Sequence, residues 1–346
     1  MQYRQMAGFM WFLFTLLAVG AHAWSPFKKD QDKKWSCVSV QDDQPITPSG
    51  SVFWRKENCT QEADGVSKPV TVNSLHIDLS KNDVRILPGY SQKSETPLIP
   101  INEIAESYGD AQGKLLAGIN GGYFWRTDIT GFWFDDVCRF KTRKQAETPV
   151  DDCTAHPDNG LHDGALIVDG KSVGCNCNNW GYSRPSLMST TVGNAEWNIK
   201  VMSRGEQAPA GIQFALAAGP NLVSYDPTTG VSVVDIPEGE DNINRFEHAA
   251  QTAVGINFGS VGVANKITMV TTDGCEYSSK CGVADPNLAL LMKDHFLCQQ
   301  AMSMDQGGST TMWVKDAKNT AGNDGVVSNA GGGARNVANG LFIVAV

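Results

Sequence analysis

Lys266-Ile267-Thr268-Met269-Val270-Thr271-Thr272-Asp273-Gly274 opens the segment that decides the fold, and Ala301-Met302-Ser303-Met304-Asp305-Gln306-Gly307-Gly308 closes it. The first run is rich in β-branched residues and stops at an Asp-Gly turn, which reads as a strand. Between the two runs, Asp285-Pro286 marks a helix start, with Asp as N-cap and Pro at the first helical position. Leu288, Leu291, Met292, His295 and Phe296 follow at i, i+3, i+4, i+7 and i+8, the apolar stripe of a packed helix. Ala301–Met304 is then a second short buried strand. Strand, helix, strand is a βαβ unit, so the spacing predicts two parallel strands. Asp273 and Asp305 would then share the carboxyl-end edge, where open α/β sheets bind ligands.

The loop after Asp305 adds chemistry to that edge. Gly307 and Gly308 carry no Cβ, so the main chain turns tightly there and a ligand can approach closely. Amide groups of such a turn cradle anions when they are unpaired. Ser309, Thr310 and Thr311 bring three hydroxyls. A second loop follows an apolar strand over Lys114–Ile119 and reads Asn120-Gly121-Gly122-Tyr123-Phe124. Its plain reading is a Gly-Gly turn packed by aromatics. Its functional reading is a ligand loop, with the Asn amide as donor and the aromatic faces open to a sugar ring. Arg335-Asn336, after three glycines, is either a solvated loop charge or a cation held over a pocket, and arginine suits phosphate through its planar fork.

Around these loops the chain reads as many short strands and few helices. Val70–Leu79 alternates with period two, and its His76 fits a packed strand histidine better than a ligand. Ile101–Tyr108 is a short helix. Ala165–Lys171 is a strand with a turn, and Asn198–Val201, Phe214–Ala218, Val231–Ile236, Gln251–Ile256 and Leu341–Val346 are further strands. The expected class is α/β in the mixed α+β sense: a single strand-rich domain with a mixed sheet, a C-terminal βαβ unit and a disulfide-stapled N-terminal extension.

Residues 1–23 read as a signal peptide, with Arg4, an apolar Met6–Gly20 and the small-x-small site Ala21-His22-Ala23. Residues 24–66 form the polar extension and 67–346 the main domain. Nine cysteines suit an oxidising compartment, so a secreted protein, extracellular or periplasmic, is expected. Cys37–Cys59, Cys138–Cys153 and Cys275–Cys281 are plausible local closures, and the odd number leaves at least one thiol outside any intrachain pair. Cys175-Asn176-Cys177 lacks a matching Cys/His set at zinc-like spacing. The formal charge of −9 and the absence of a basic cluster argue against nucleic acid as a partner. After the leader no stretch approaches the ~20 apolar residues of a membrane span.

Several of these stretches together resemble the phosphodiester glycosidase family. The matching blocks are Asn120–Phe124, Gly219-Pro220-Asn221-Leu222-Val223, Thr252-Ala253-Val254-Gly255, Thr272-Asp273-Gly274, Asp305–Met312 and Arg335-Asn336-Val337-Ala338-Asn339, in the family's order over about residues 70–346. Two positions depart from the pattern: Gln306 stands where the family has glycine after the aspartate, and Gln251 where an arginine commonly precedes Thr-Ala-Val-Gly. The resemblance implies a hydrolase that cleaves between an anomeric carbon and a phosphodiester oxygen of a sugar-1-phosphate linkage, in a glycoconjugate or cell-wall polymer. Asp305 and Asp273 would do the carboxylate work. Arg335, Ser309 and Thr310, with the Gly307 and Gly308 amides, would hold the leaving group. Asn120, Gly121, Gly122, Tyr123, Phe124 and Asn336 would bind the rest of the substrate. No cofactor is expected, the alternative being a calcium ion held between Asp273 and Asp305. Gln251 keeps two other readings open, a glycosidase on a neutral extracellular polysaccharide and an inactive carbohydrate-binding relative.

Overall fold

Strands of two to thirteen residues, separated by turns, make up most of the computed structural model. It describes residues 35–63, 66–91, 98–108, 114–124, 162, 164–173, 183–191, 196–203, 205–237, 248–259, 263–274, 281–317, 325–330 and 335–346. The chain divides into residues 1–32 and 33–346, and all described residues belong to the second unit. The signal peptide and the Cys138–Cys153, Cys175/Cys177 and Cys275–Cys281 expectations fall wholly or partly outside the described residues.

The first strands are β1 (Trp35–Ser39), β2 (Gln44–Pro45), β3 (Val52–Ala63), β4 (Val66–Asp78), β5 (Val84–Tyr90) and β6 (Leu115–Asn120). β7 (Leu166–Val168), β8 (Lys171–Ser172), β9 (Arg184–Ser189), β10 (Asn198–Met202), β11 (Phe214–Ala217), β12 (Asn221–Asp226) and β13 (Val231–Val234) follow. The last are β14 (Gln251–Phe258), β15 (Ala264–Thr272), β16 (Gln300–Ser303), β17 (Thr311–Val314), β18 (Val326–Asn329) and β19 (Asn339–Ala345). A large sheet runs β1-β3-β4-β15-β14-β16-β12-β13, with β2 beside β3; two smaller sheets run β10-β9-β11-β7-β8 and β18-β17-β6-β19-β5. The predicted helix Ile101–Tyr108 forms as expected.

Two expectations are corrected. Every strand pair among the described residues is antiparallel, so the sheet is not mixed. β15 and β16 do run the same way, but β14 lies between them and pairs with both, so no parallel βαβ pair forms. β14 and β15 are joined by a short connection and pair as sequential antiparallel neighbours, which leaves the other edge of β14 for β16. Their unbroken apolar texture has another cause. Val254 and Ile256 of β14, opposite Met269 and Ile267 of β15, pack into the core shared with Ile119, Leu341 and Ile343, whereas Ala253 and Val270 face Leu288, Leu291 and Met292 on the other side. A sheet covered on both faces loses the polar alternation that marks an exposed antiparallel strand.

The covering helix spans Asp285–Leu290 and continues as a π-helical turn over Leu291–His295. Its N-cap is Ala284 rather than Asp285, which is itself buried in the first turn. The expected stripe is otherwise present: Leu288, Leu291 and Met292 are fully buried and Phe296 nearly so.

Residues 35–63 are strands of the large sheet itself, β3 pairing with β4 from Val52↔Ile77 to Ala63↔Val66. The expected Cys37–Cys59 disulfide fastens β1 to β3. Among the described residues Cys298 is the free thiol, buried, and burial pushes its pKa up to about 12.

His76 of β4 stacks on the Phe53 ring at 4.6 Å and accepts or donates one hydrogen bond with Ser74 Oγ at 2.9 Å. Burial, aided by the charge of Lys266, pushes its pKa down to about 3. A folded pKa below the unfolded value of about 6.5 means that the unfolded chain binds the proton first, so this contribution is present above pH 6.5 and lost as the pH falls toward 3. Urea unfolding at pH 7 and pH 4 is expected to show a drop on the order of 3 kcal/mol from this group, at about 1.4 kcal/mol per pH unit below 6.5. In His76→Gln the two pH values should differ by that much less.

Candidate active site

Asp305 sits where the end of β16 meets the end of β6. Its N–H donates to the Gly121 carbonyl at 2.9 Å, and the Asn120 side-chain amide donates to its carbonyl at 2.7 Å. The Asn120 side-chain oxygen accepts from Thr252 Oγ1 at 2.7 Å and from the Thr311 N–H at 3.0 Å. One fully buried amide thereby ties β6, β14, β16 and β17 together. Burial and these three bonds make Asn120 a positioning group for Asp305 and leave it no face for a sugar. Next to it, the Ser303 N–H donates to the Pro220 carbonyl at 2.9 Å, which brings the Gly219-Pro220-Asn221 turn against the same strand end.

Gly121 and Gly122 are needed for contact rather than for ligand access. The Gly122 N–H donates to Asn339 Oδ1 at 2.7 Å. A Cβ on Gly121 would overlap the Asn339 side-chain oxygen, and one on Gly122 would overlap the Ala217 carbonyl oxygen. The second obstacle is backbone of a neighbouring sheet and cannot swing aside. Gly122→Ala is therefore expected to destabilise the fold by about 1–3 kcal/mol, the usual cost of overpacking, as read from chemical denaturation. Tyr123 is also spoken for: it is buried, its hydroxyl donates to the Gly219 carbonyl at 2.8 Å, and the Arg184 guanidinium lies 4.6 Å from its ring centroid. Phe124 is half-buried and bridges to His162.

The loop after Asp305 is a 3-10 turn over Gly307–Ser309, with Gly307 at a φ of 64° that favours glycine. Its amides are mostly spent inside the protein. Gly307 donates to the Ala250 carbonyl at 2.8 Å, Ser309 to Gln306 at 3.4 Å and Thr310 to Gly307 at 3.1 Å. The Gln306 N–H donates to Asp305 Oδ1 at 2.9 Å. The expected row of free amides is thus reduced to Gly308, whose N–H has no acceptor among the described residues. The hydroxyls tell a different story. Ser309 Oγ and Thr310 Oγ1 are buried with no hydrogen-bond partner among the described residues, and so is Thr271 Oγ1 on β15. Buried hydroxyls without partners are costly, and those of Ser309 and Thr310 stand on the turn that follows Asp305.

Arg335 completes the constellation. Its guanidinium lies flat against Gly308: a Cβ there would stand 2.5 Å from Cζ, 2.7 Å from Nη2 and 2.9 Å from Nε. Gly308 therefore admits the arginine, not the ligand directly. Asn336, next to it, is exposed.

Asp273 lies apart from this group. It follows β15, two strand spacings from β16, roughly 10 Å across the sheet. It is exposed, and its Oδ1 accepts the Thr71 N–H of β4 at 2.7 Å. A calcium ion bridging Asp273 and Asp305 would require both carboxylates to leave these main-chain donors. Gln251 is fully buried and points its amide to the Val283 carbonyl at 2.8 Å, on the helix side of the sheet. Sequence reasoning missed three contributors: Thr252 Oγ1, the Asn339 side chain and the buried Arg184. Thr252 and Asn339 stand in blocks already singled out, but nothing in the sequence around Arg184 sets it apart from a surface arginine.

A strand-rich fold that brings an aspartate, a guanidinium and unpartnered hydroxyls to one glycine turn has the makings of a hydrolase site for an anionic substrate. The chain belongs to the phosphodiester glycosidase family, whose profile matches residues 115–344. Among solved structures it is similar to the catalytic domain of zebrafish N-acetylglucosamine-1-phosphodiester alpha-N-acetylglucosaminidase auto-inhibited by its pro-peptide, at 15% identity and a TM-score of 0.55, over 91% of this chain and 88% of that one. A hypothetical protein from Synechocystis matches at 14% identity and a TM-score of 0.48, over 86% of this chain and 62% of that one. No curated protein sequence matches the chain. At such identities the structural likeness speaks for the fold alone.

Proposed function

We propose that the protein is a secreted glycosidase that hydrolyses the anomeric C–O bond of a sugar-1-phosphodiester of the N-acetylglucosamine type. The observation that carries this reading is the Arg335 guanidinium laid on Gly308, in the turn that follows Asp305 and carries the unpartnered hydroxyls of Ser309 and Thr310. Family membership supports the reaction class, and the activity for which the zebrafish protein is named supports the choice of sugar. Glycosidic cleavage passes through an oxocarbenium-like state that a nearby carboxylate stabilises. Asp305 takes that role, as electrostatic partner or as base toward water. A phosphate leaving group is a weak base, so it needs cations and hydrogen-bond donors more than it needs a proton. Arg335, Ser309 and Thr310 supply them. Asp273 is the second carboxylate at the same sheet end, and Phe124 and Asn336 line the approach. No cofactor enters the scheme.

Incubating the chain from residue 24 onward with a GlcNAc-1-phosphodiester and with neutral glycans tests the reading through released sugar. Release from the phosphodiester supports it. A second reading, a glycosidase on a neutral polysaccharide, is favoured by the uncharged, inward-turned Gln251, and turnover of neutral glycans alone would select it. Binding without turnover on either would select an inactive carbohydrate-binding protein.

A further inference from the structure

The Cys37–Cys59 disulfide has company that a plain staple does not require. Cys37 and Cys59 face each other across β1 and β3, and the π-helical turn brings His295 over them. The two sulfurs and a ring nitrogen of His295 all lie within 4.8 Å of one another. Glu57 Oε2, from a side chain almost fully buried, stands 3.0 Å from His295 Nε2. Ligand atoms around tetrahedral zinc are separated by roughly 3.3–3.8 Å, given bonds of about 2.0–2.3 Å, so once the S–S bond is broken the sulfurs have only to part to that spacing while the imidazole closes in modestly. Trp35, two residues before Cys37 on β1, ties the strand to the covering helix, its Nε1–H donating to the Asn287 carbonyl at 2.9 Å.

We propose that, when the disulfide is reduced, Cys37, Cys59 and His295 with the Glu57 carboxylate form a binding site for a zinc-class divalent cation. A dithiol reductant opens the bond: it gives two electrons and two protons to the protein sulfurs and leaves as its own cyclic disulfide. The cation then replaces the two thiol protons, which go to solvent, and binds both thiolates. Thiolate and imidazole donors select zinc-like ions over calcium or magnesium. The same two sulfurs thus fasten β1 to the sheet in either redox state, through each other when oxidised and through the cation when reduced. The site lies on the helix-covered side of the large sheet and is independent of the proposed hydrolase chemistry.

Cobalt(II) is a suitable probe, because thiolate ligation gives a charge-transfer band. The full chain is reduced with dithiothreitol, freed of it by gel filtration under argon and titrated with cobalt beside Cys37→Ser/Cys59→Ser and His295→Gln. Reduced wild type should take up one cobalt per chain more than the double serine variant, with the thiolate band, and the air-oxidised chain should lack this uptake. His295→Gln changes a side chain that is a quarter exposed, so it keeps the test valid if the serine variant loosens β1. Its affinity should fall at least about tenfold, as losses at metal sites commonly do. Equal uptake by wild type and the double variant, or undiminished affinity in His295→Gln, overturns the proposal.

Discussion

Asp305→Asn should lower turnover of a GlcNAc-1-phosphodiester by about 10²–10⁴-fold, the range lost with a catalytic acid or base. The fold should not notice. Asp305 is held by its main chain, through Gly121 and the Asn120 amide, and asparagine retains Oδ1 as acceptor for the Gln306 N–H. Unfolding free energy is expected to stay within about 1 kcal/mol of wild type, as for substitutions that break no packing or buried network. A parallel loss of stability would reassign Asp305 to holding the turn. Asp273→Asn is a useful contrast, because its exposed carboxylate caps the Thr71 N–H and stands off to one side. A loss as large as that of Asp305→Asn would show that both carboxylates act on the substrate.

The second large effect concerns an arginine moved without being removed. Gly308→Ala places a methyl group 2.5 Å from Arg335 Cζ. The obstacle is the far end of a flexible side chain, so the guanidinium shifts and the fold remains. Phosphodiester turnover should fall by about 10²–10³-fold, comparable to losing an oxyanion donor, and Arg335→Ala should match it. Gly308→Ala/Arg335→Ala should be no worse than Arg335→Ala alone, because both changes withdraw the same group. Neutral substrates should suffer less in all three, measured as kcat/KM side by side. Additive losses would mean that Gly308 meets the substrate itself.

The sequence carried the elements further than their arrangement. The β-branched run at Lys266–Thr272, the helix after Pro286 and the strand before Asp305 all exist where the periodicity places them. What it could not convey is that β14 inserts between β15 and β16, since pairing partners are chosen by tertiary packing and a strand buried on both faces has the same texture in either kind of sheet. The site shows the same division. Glycines and an aspartate announced a turn, yet the reason for Gly122 is a carbonyl of another sheet and the reason for Gly308 is an arginine 27 positions later in the chain. Asn120 looked like a donor for ligand because its type is right; only its burial and its three internal bonds make it a strut.

Hydrolysis of a GlcNAc-1-phosphodiester in ¹⁸O-enriched water, with both products read by mass spectrometry, asks which bond the protein breaks. The account requires the label on the anomeric hydroxyl of the released sugar and none in the phosphate. Label in the phosphate would mean attack at phosphorus, and the site built around Asp305 would then belong to a different reaction.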